Sequence, residues 1–381
     1  MAFQKRNALT FFLIVILLNG CYDHYPAPSI SGSADFLVVS GFLNAGDGSC
    51  SITLSRSQLL SAADVPTPVS DAVVTIDDEN GNSSMLSLQQ NGVYTNPKIA
   101  LTANLGYRLH ITASNGEVYL SDYVPVIQSP PIDTVDWTID QQGSAGPTIN
   151  IYVSSTGTNA QSPYYFWNFA ETWKYTAAYA EELKYIGGQV VTNKDSTYYC
   201  WRTLTSTNIL IASTRQLSQN IVNRFLVNSV PTNSVRLLDG YSLLVTQMSL
   251  TQGAFEYWQQ LQATTENLGS IFGPLPSQFN GNIHSSSNPS EPVFGYFSAS
   301  TVSQKRIFIN PGDFPAPNSH VTTGNEDCTL TMLAAKDIGQ IGSNVIASSY
   351  GVGPVGYNIT SVDCVDCRFK GGTNIKPDFW K

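Results

Sequence analysis

Short runs of alternating apolar and polar residues, broken at close intervals by turn-forming residues, constrain this chain more than any other feature. Cys50-Ser51-Ile52-Thr53-Leu54-Ser55 puts Ile52 and Leu54 on one side and Ser51, Thr53 and Ser55 on the other. That period of two belongs to a half-buried strand. Phe36 to Leu43, Ala72 to Ile76, Met85 to Leu88, Val93-Tyr94, Tyr107 to Thr112 and Val118 to Leu120 read as further strands. Asn44-Ala45-Gly46-Asp47-Gly48 and Asp77-Asp78-Glu79-Asn80-Gly81 read as turns. Many short strands with recurring turns predict an immunoglobulin-like or transthyretin-like β-sandwich over residues 35–127.

The segment Ile127-Gln128-Ser129-Pro130-Pro131-Ile132-Asp133 reads as a boundary, because paired prolines fix φ and interrupt strand pairing. Residues 130–381 read as a larger β-rich C-terminal domain with a few short helices. The chain is mainly β on this reading, and 381 residues suffice for two domains. Tyr164 to Tyr175 and Tyr241 to Met248 are strand candidates. Phe255, Trp258 and Leu261 recur every three residues. They predict a helix between an N-cap at Thr251 and a stop at Asn267-Leu268-Gly269.

The N-terminus carries a different signal. Lys5 and Arg6 precede an apolar run from Ala8 to Leu18. The run is shorter than the roughly 20 apolar residues that span a bilayer. It fits a secretory leader over residues 1–20. Leu18-Asn19-Gly20-Cys21 resembles the lipobox of bacterial lipoproteins, in which the cysteine becomes the acylated first residue. Several acyl chains at Cys21 would hold the protein on a membrane, at about 0.8 kcal/mol per buried CH₂. Residues 21–34 then form a polar tether.

The formal net charge is −9, and without Lys5 and Arg6 the chain has 17 basic and 28 acidic residues, a charge of −11. A nucleic-acid binder needs a basic face, so no nucleic-acid partner is expected. Export implies an oxidising compartment. Apart from Cys21, five cysteines remain: Cys50, Cys200, Cys328, Cys364 and Cys367. Five is odd, so at least one thiol stays free or pairs with another chain. Cys364-Val365-Asp366-Cys367 is a CxxC in turn-rich surroundings, without the strand–helix context of a redox motif. A zinc site would need two more ligands. Disulfides that staple the C-terminal tail are the better reading, with the two cysteines joined to each other or to Cys200 and Cys328. A bridge to Cys200 closes a long loop, for which chain entropy predicts roughly 4–5 kcal/mol.

No catalytic residues, cofactor or metal are expected. His24, His110, His284 and His320 lack HExxH spacing, and no GxSxG elbow is present. His110 alternates within a strand and reads as structural, while His284 and His320 fall in polar loops. Asp77-Asp78-Glu79 reads as an acidic turn in preference to a calcium loop. Glu171, Glu181 and Glu182 are candidate paired carboxylates of a glycosidase, weighed against a solvated loop.

The aromatic run from Tyr164 to Tyr175 places Tyr165, Trp167 and Phe169 on one strand face. Aromatic burial makes that face core in the leading reading. The alternative makes Tyr165, Trp167 and Phe169, with Trp380, an exposed surface for a partner or ligand. Phe379-Trp380 at the chain end should dock on the body of the protein or on a partner.

Several motifs look familiar together. They include Val73-Val74-Thr75-Ile76, Gly92-Val93-Tyr94, Gly106-Tyr107-Arg108-Leu109, Pro131-Ile132-Asp133 and Tyr241 to Gln247. Glu266 to Phe272 with Pro274, Gly281-Asn282-Ile283, Gly295-Tyr296-Phe297, and the tail from Cys364-Val365-Asp366-Cys367-Arg368 to Lys376-Pro377-Asp378-Phe379-Trp380 complete the set. With them the chain resembles Bacteroidota lipoproteins of domain-of-unknown-function family 4249, with the C-terminal motifs the most specific part. The resemblance implies an outer-membrane or cell-surface lipoprotein. It also implies a partner role beside a TonB-dependent outer-membrane receptor in nutrient uptake, like that of SusD-type lipoproteins. An adhesin or structural envelope module is the alternative, and a surface hydrolase the third reading. The family supplies no established chemistry.

Overall fold

A computed structural model describes residues 35–58, 66–141, 146–265, 281–315, 321–351, 353 and 355–380. The leader, Cys21 and its tether, His24, His320 and the motif from Glu266 to Pro274 lie outside the described residues, as does the expected helix stop at Asn267-Leu268-Gly269. The protein is mainly β, and the described residues form four sheets, one α-helix and a few short 3-10 turns.

The largest sheet has twelve strands. Its strand Leu37–Asn44 pairs antiparallel with Cys50–Arg56 on one side. On the other it pairs parallel with Phe294–Ser300. Phe294–Ser300 pairs in turn with Val124–Ile127, which joins Gly106–Thr112. Alternation buries Leu37, Val39, Leu43, Ile52, Leu54, Leu109 and Ile111 in one core around Phe297. Residues 281–300, which follow the predicted boundary at 127–133, therefore complete the first unit instead of belonging wholly to the second. Their pairing is parallel and joins segments more than 250 residues apart, so no local turn signal marks it.

The second unit packs two sheets face to face. One contains Ile132–Asp140, Thr148–Thr156 and Ile221–Pro231. The other contains Tyr199–Thr205, Leu210–Ser213, Tyr164–Thr176, Tyr241–Ser249 and Val302–Ile309. Between them lie Ile149, Ile151, Val153, Tyr165, Trp167, Phe169, Trp173 and Tyr175. The partner-surface alternative for Tyr165, Trp167 and Phe169 is thus corrected. Trp167 and Tyr165 are 0% exposed and Phe169 is 6% exposed. Burying each large ring contributes roughly 2–3 kcal/mol, which drives this face inward. On the opposite face, Tyr164 and Phe166 pack against Phe255 and Trp258 of the helix Gln252–Thr265. Thr251 caps that helix as expected, its Oγ1 accepting from Ala254 N at 3.2 Å.

The prolines between the two units are clamped rather than free to swing. Ser129 N donates to Thr301 Oγ1, Gln247 Nε2 to the Pro130 carbonyl and Ser155 Oγ to the Pro131 carbonyl. A smaller sheet joins Leu183–Ile186, Gln189–Thr192, Thr331–Ala334, Val345–Tyr350 and Gly356–Thr360 over a core of Ile346, Tyr357 and Ile359. Cys200 is bonded to Cys367 and Cys328 to Cys364. The odd cysteine is Cys50, buried in the first core. Burial pushes its thiol up to about 12, so it stays protonated and unreactive.

Candidate functional site

A concavity of about 730 Å³ lies where the first unit meets the proline segment. Four pieces of chain build it: the turn at Ala45, the turn at Glu79, residues 101–106 and residues 123–128. The strand Val73–Asp78 carries Glu79 to the rim. Glu79 Oε2 accepts from Gly106 N at 2.9 Å, which closes that end of the loop 101–106. Tyr107 fixes the other end, its hydroxyl accepting from Thr102 N at 2.6 Å and facing Thr102 O at 3.1 Å. Asn104 takes φ +62°, a left-handed turn that asparagine tolerates better than most residues.

Tyr123 supplies the aromatic element of the groove and is 40% exposed. The Arg108 guanidinium sits 4.8 Å from its ring centroid. Its hydroxyl reaches the Asp78 carbonyl at 3.4 Å. The groove thus offers one ring, one carboxylate, and the polar side chains of Thr102, Asn104 and Gln128. Its described lining contains no histidine, cysteine, lysine or arginine. Such an arrangement suits recognition by hydrogen bonds and ring contact.

Sequence reasoning did not find this groove, although it marked the segment Asp77-Asp78-Glu79. The structure corrects that segment's reading as a single acidic turn. Asp77 and Asp78 end a strand and are buried, and Glu79 begins the turn. Asp77 accepts from Thr75 and Ser83 at 2.9 and 2.6 Å and lies 3.1 Å from His110 Nδ1. Burial raises its carboxyl, but the bonds from Ser83, Thr75 and His110 outweigh that, leaving it below the ordinary aspartate value. Asp78 accepts from the backbone N–H groups of Asn80 and Asn82. Asp77 and Asp78 are thus committed to the protein's own donors, while exposed Glu79 spends one oxygen on Gly106 N.

The other sequence candidates are dispersed. Glu171 is buried in an ion pair with Arg236 at 2.7 Å and accepts from the Tyr241 hydroxyl at 2.9 Å. Glu181 accepts from Asn193 at 2.9 Å, and burial raises its carboxyl. Glu182 is exposed. Each has its own surroundings, so the structure does not gather them into an acid–base pair. His110 serves Asp77, and His284 is exposed on the short strand Ile283–Ser285. Trp380 docks on the body, edge-on to Trp201 and Phe308 at 6.5 and 5.7 Å. Phe379 covers the Arg306 guanidinium.

No curated protein matches the chain. Residues 23–306 match the family described as Domain of unknown function (DUF4249). The match includes the motifs at 281–283 and 295–297 and stops short of the cysteine-bearing tail. Because it spans most of the sequence, including the groove and both large sheet units, the chain belongs to the DUF4249 family.

Proposed function

We propose that this protein is an exported, lipid-anchored module of the outer membrane or cell surface. It binds a ligand or partner without transforming it, and works beside a TonB-dependent receptor in nutrient uptake. The observation that carries this reading is Leu18-Asn19-Gly20-Cys21 at the end of a short apolar leader. Two features of the fold support it. The pairs Cys200–Cys367 and Cys328–Cys364 belong in an oxidising compartment. The junction groove lies at the far end of the strand Leu37–Asn44 from the tether, about 24 Å away at some 3.4 Å per residue. An anchored molecule would present that groove away from its attachment point.

The test is affinity purification of the full chain from detergent-solubilised membranes. A co-purifying β-barrel receptor is the expected result, and Tyr123→Ala or Glu79→Gln should reduce its recovery. Recovery of the protein with no receptor would contradict the partnership.

A further inference from the structure

Most described arginines are neutralised within the fold. Arg56, Arg108, Arg224, Arg236 and Arg368 each face an acidic side chain. Arg202 donates to the Lys370 carbonyl, and Arg306 lies against Phe379. Arg215 differs. It is exposed, its guanidinium donates to the Tyr164 hydroxyl at 3.1 Å, and among the described residues no acid forms an ion pair with it. In an acidic chain, such a cation is a feature to explain.

Arg215 also lines two cavities, of about 510 and 270 Å³. The larger has an aromatic wall, with the Tyr164 and Phe255 ring centroids 4.9 Å apart. The helix Gln252–Thr265 adds Gln259 and Gln262, four and seven residues after Phe255 and so on the same helical face. Gln216 completes this side. In the smaller cavity, Asn220 is fixed by donors from Tyr165 and Thr214, both at 2.6 Å, and by its own bond to the Thr158 carbonyl. Gln161 and Gln219 flank it. The floor is rigid and the rim is rich in amides. One acid, Glu256, lies on the rim and is held by Gln252 at 2.7 Å.

We propose that this cleft binds an acidic saccharide. A planar guanidinium matches a carboxylate with two parallel hydrogen bonds. An amide both donates and accepts, as a sugar hydroxyl does, so flanking amides suit a polyhydroxylated ligand. The half-buried ring of Phe255, backed by the buried ring of Tyr164, offers an apolar edge for the C–H face of a sugar. The cleft extends the proposed binding role by a ligand class at a second site, and it does not depend on the anchor.

The test uses the full chain carrying Cys21→Ser, so that a failure of anchoring does not enter. Calorimetric titration compares tetragalacturonate, neutral tetragalactose and tetraglutamate. Saturable binding of tetragalacturonate is expected, about tenfold or more tighter than either other probe, because a hydrogen-bonded charge is at stake. Arg215→Gln should remove that preference, and Gln259→Leu should weaken binding severalfold, both with unchanged Tm. Tyr123→Ala, in the junction groove, should leave it intact. Equal affinity for the acidic and neutral sugars, tighter binding of the peptide, no saturable binding of tetragalacturonate, or no effect of Arg215→Gln would each overturn the proposal.

Discussion

Gln247 has no exposed surface, and its amide joins three parts of the protein. Its Oε1 accepts from Trp167 Nε1 at 2.9 Å, and its Nε2 donates to the Pro130 carbonyl at 2.8 Å and to Ser155 Oγ at 3.1 Å. Gln247→Leu keeps most of the volume but leaves the Trp167 N–H and the Pro130 carbonyl without partners. Each orphaned buried group costs about 1–3 kcal/mol. We expect a loss of roughly 2–4 kcal/mol in guanidinium unfolding under oxidising conditions, and a loss below about 0.5 kcal/mol would contradict this role. Asp77 gives a pH-dependent counterpart. Its folded carboxyl lies below the ordinary value of 3.8, so its stabilisation is present above that pH and is lost as pH falls through the folded value. Asp77→Asn should lower Tm at neutral pH and flatten its decline below about pH 4; an unchanged acid limb would refute the assignment. At this scale the sequence was partly legible. Alternation put Trp167 and Phe169 on one face, and burial of aromatics chose that face as core. Gln247 was silent, because its partners lie 80, 117 and 92 residues away. Arg215 was equally silent, since only the folded chain shows which arginines lack an acid.

Among the elements, the returning strand Phe294–Ser300 is the least expected. Two glycines make room for it. A Cβ on Gly295, at φ +143°, would fall 2.1 Å from the Val39 carbonyl oxygen, and one on Gly281 would fall 1.9 Å from the Gly295 carbonyl oxygen. Between them Asn282 imitates a strand, accepting from Phe297 N at 2.8 Å and donating to Phe297 O at 2.9 Å. Gly295→Ala should therefore cost about 1–3 kcal/mol or more from backbone strain. Thermal unfolding would measure it, and a wild-type Tm would contradict the close approach. Gly281-Asn282-Ile283 and Gly295-Tyr296-Phe297 were visible as motifs, yet nothing local says which strand they join. Elements with local signals fared better. The strand Cys50–Arg56 and the Thr251-capped helix were legible because alternation, period and cap are written within one stretch. The junction groove was not, because four separate segments without common periodicity line it.

Across the whole molecule, one disulfide holds the end of the chain to its middle and a second closes a loop within the tail. Cys200–Cys367 joins residues 167 apart, and Cys328–Cys364 joins residues 36 apart. Chain entropy assigns roughly 5 kcal/mol to the first and roughly 4 kcal/mol to the second. Replacing Cys200 and Cys367 by alanine should thus destabilise more than replacing Cys328 and Cys364, as read by denaturant midpoints; the reverse order would count against the loop-length account. The sequence showed that the CxxC cysteines staple the tail, but pairing needs positions in space. Such bonds persist best in an oxidising compartment, which the proposed export and acylation at Cys21 would supply. The direct measurement is intact and N-terminal peptide mass spectrometry of the protein extracted from native membranes. The account predicts a chain beginning at Cys21 with acyl chains on its sulfur and amino group. A chain retaining residues 1–20, or one whose Cys21 carries no lipid, would contradict it.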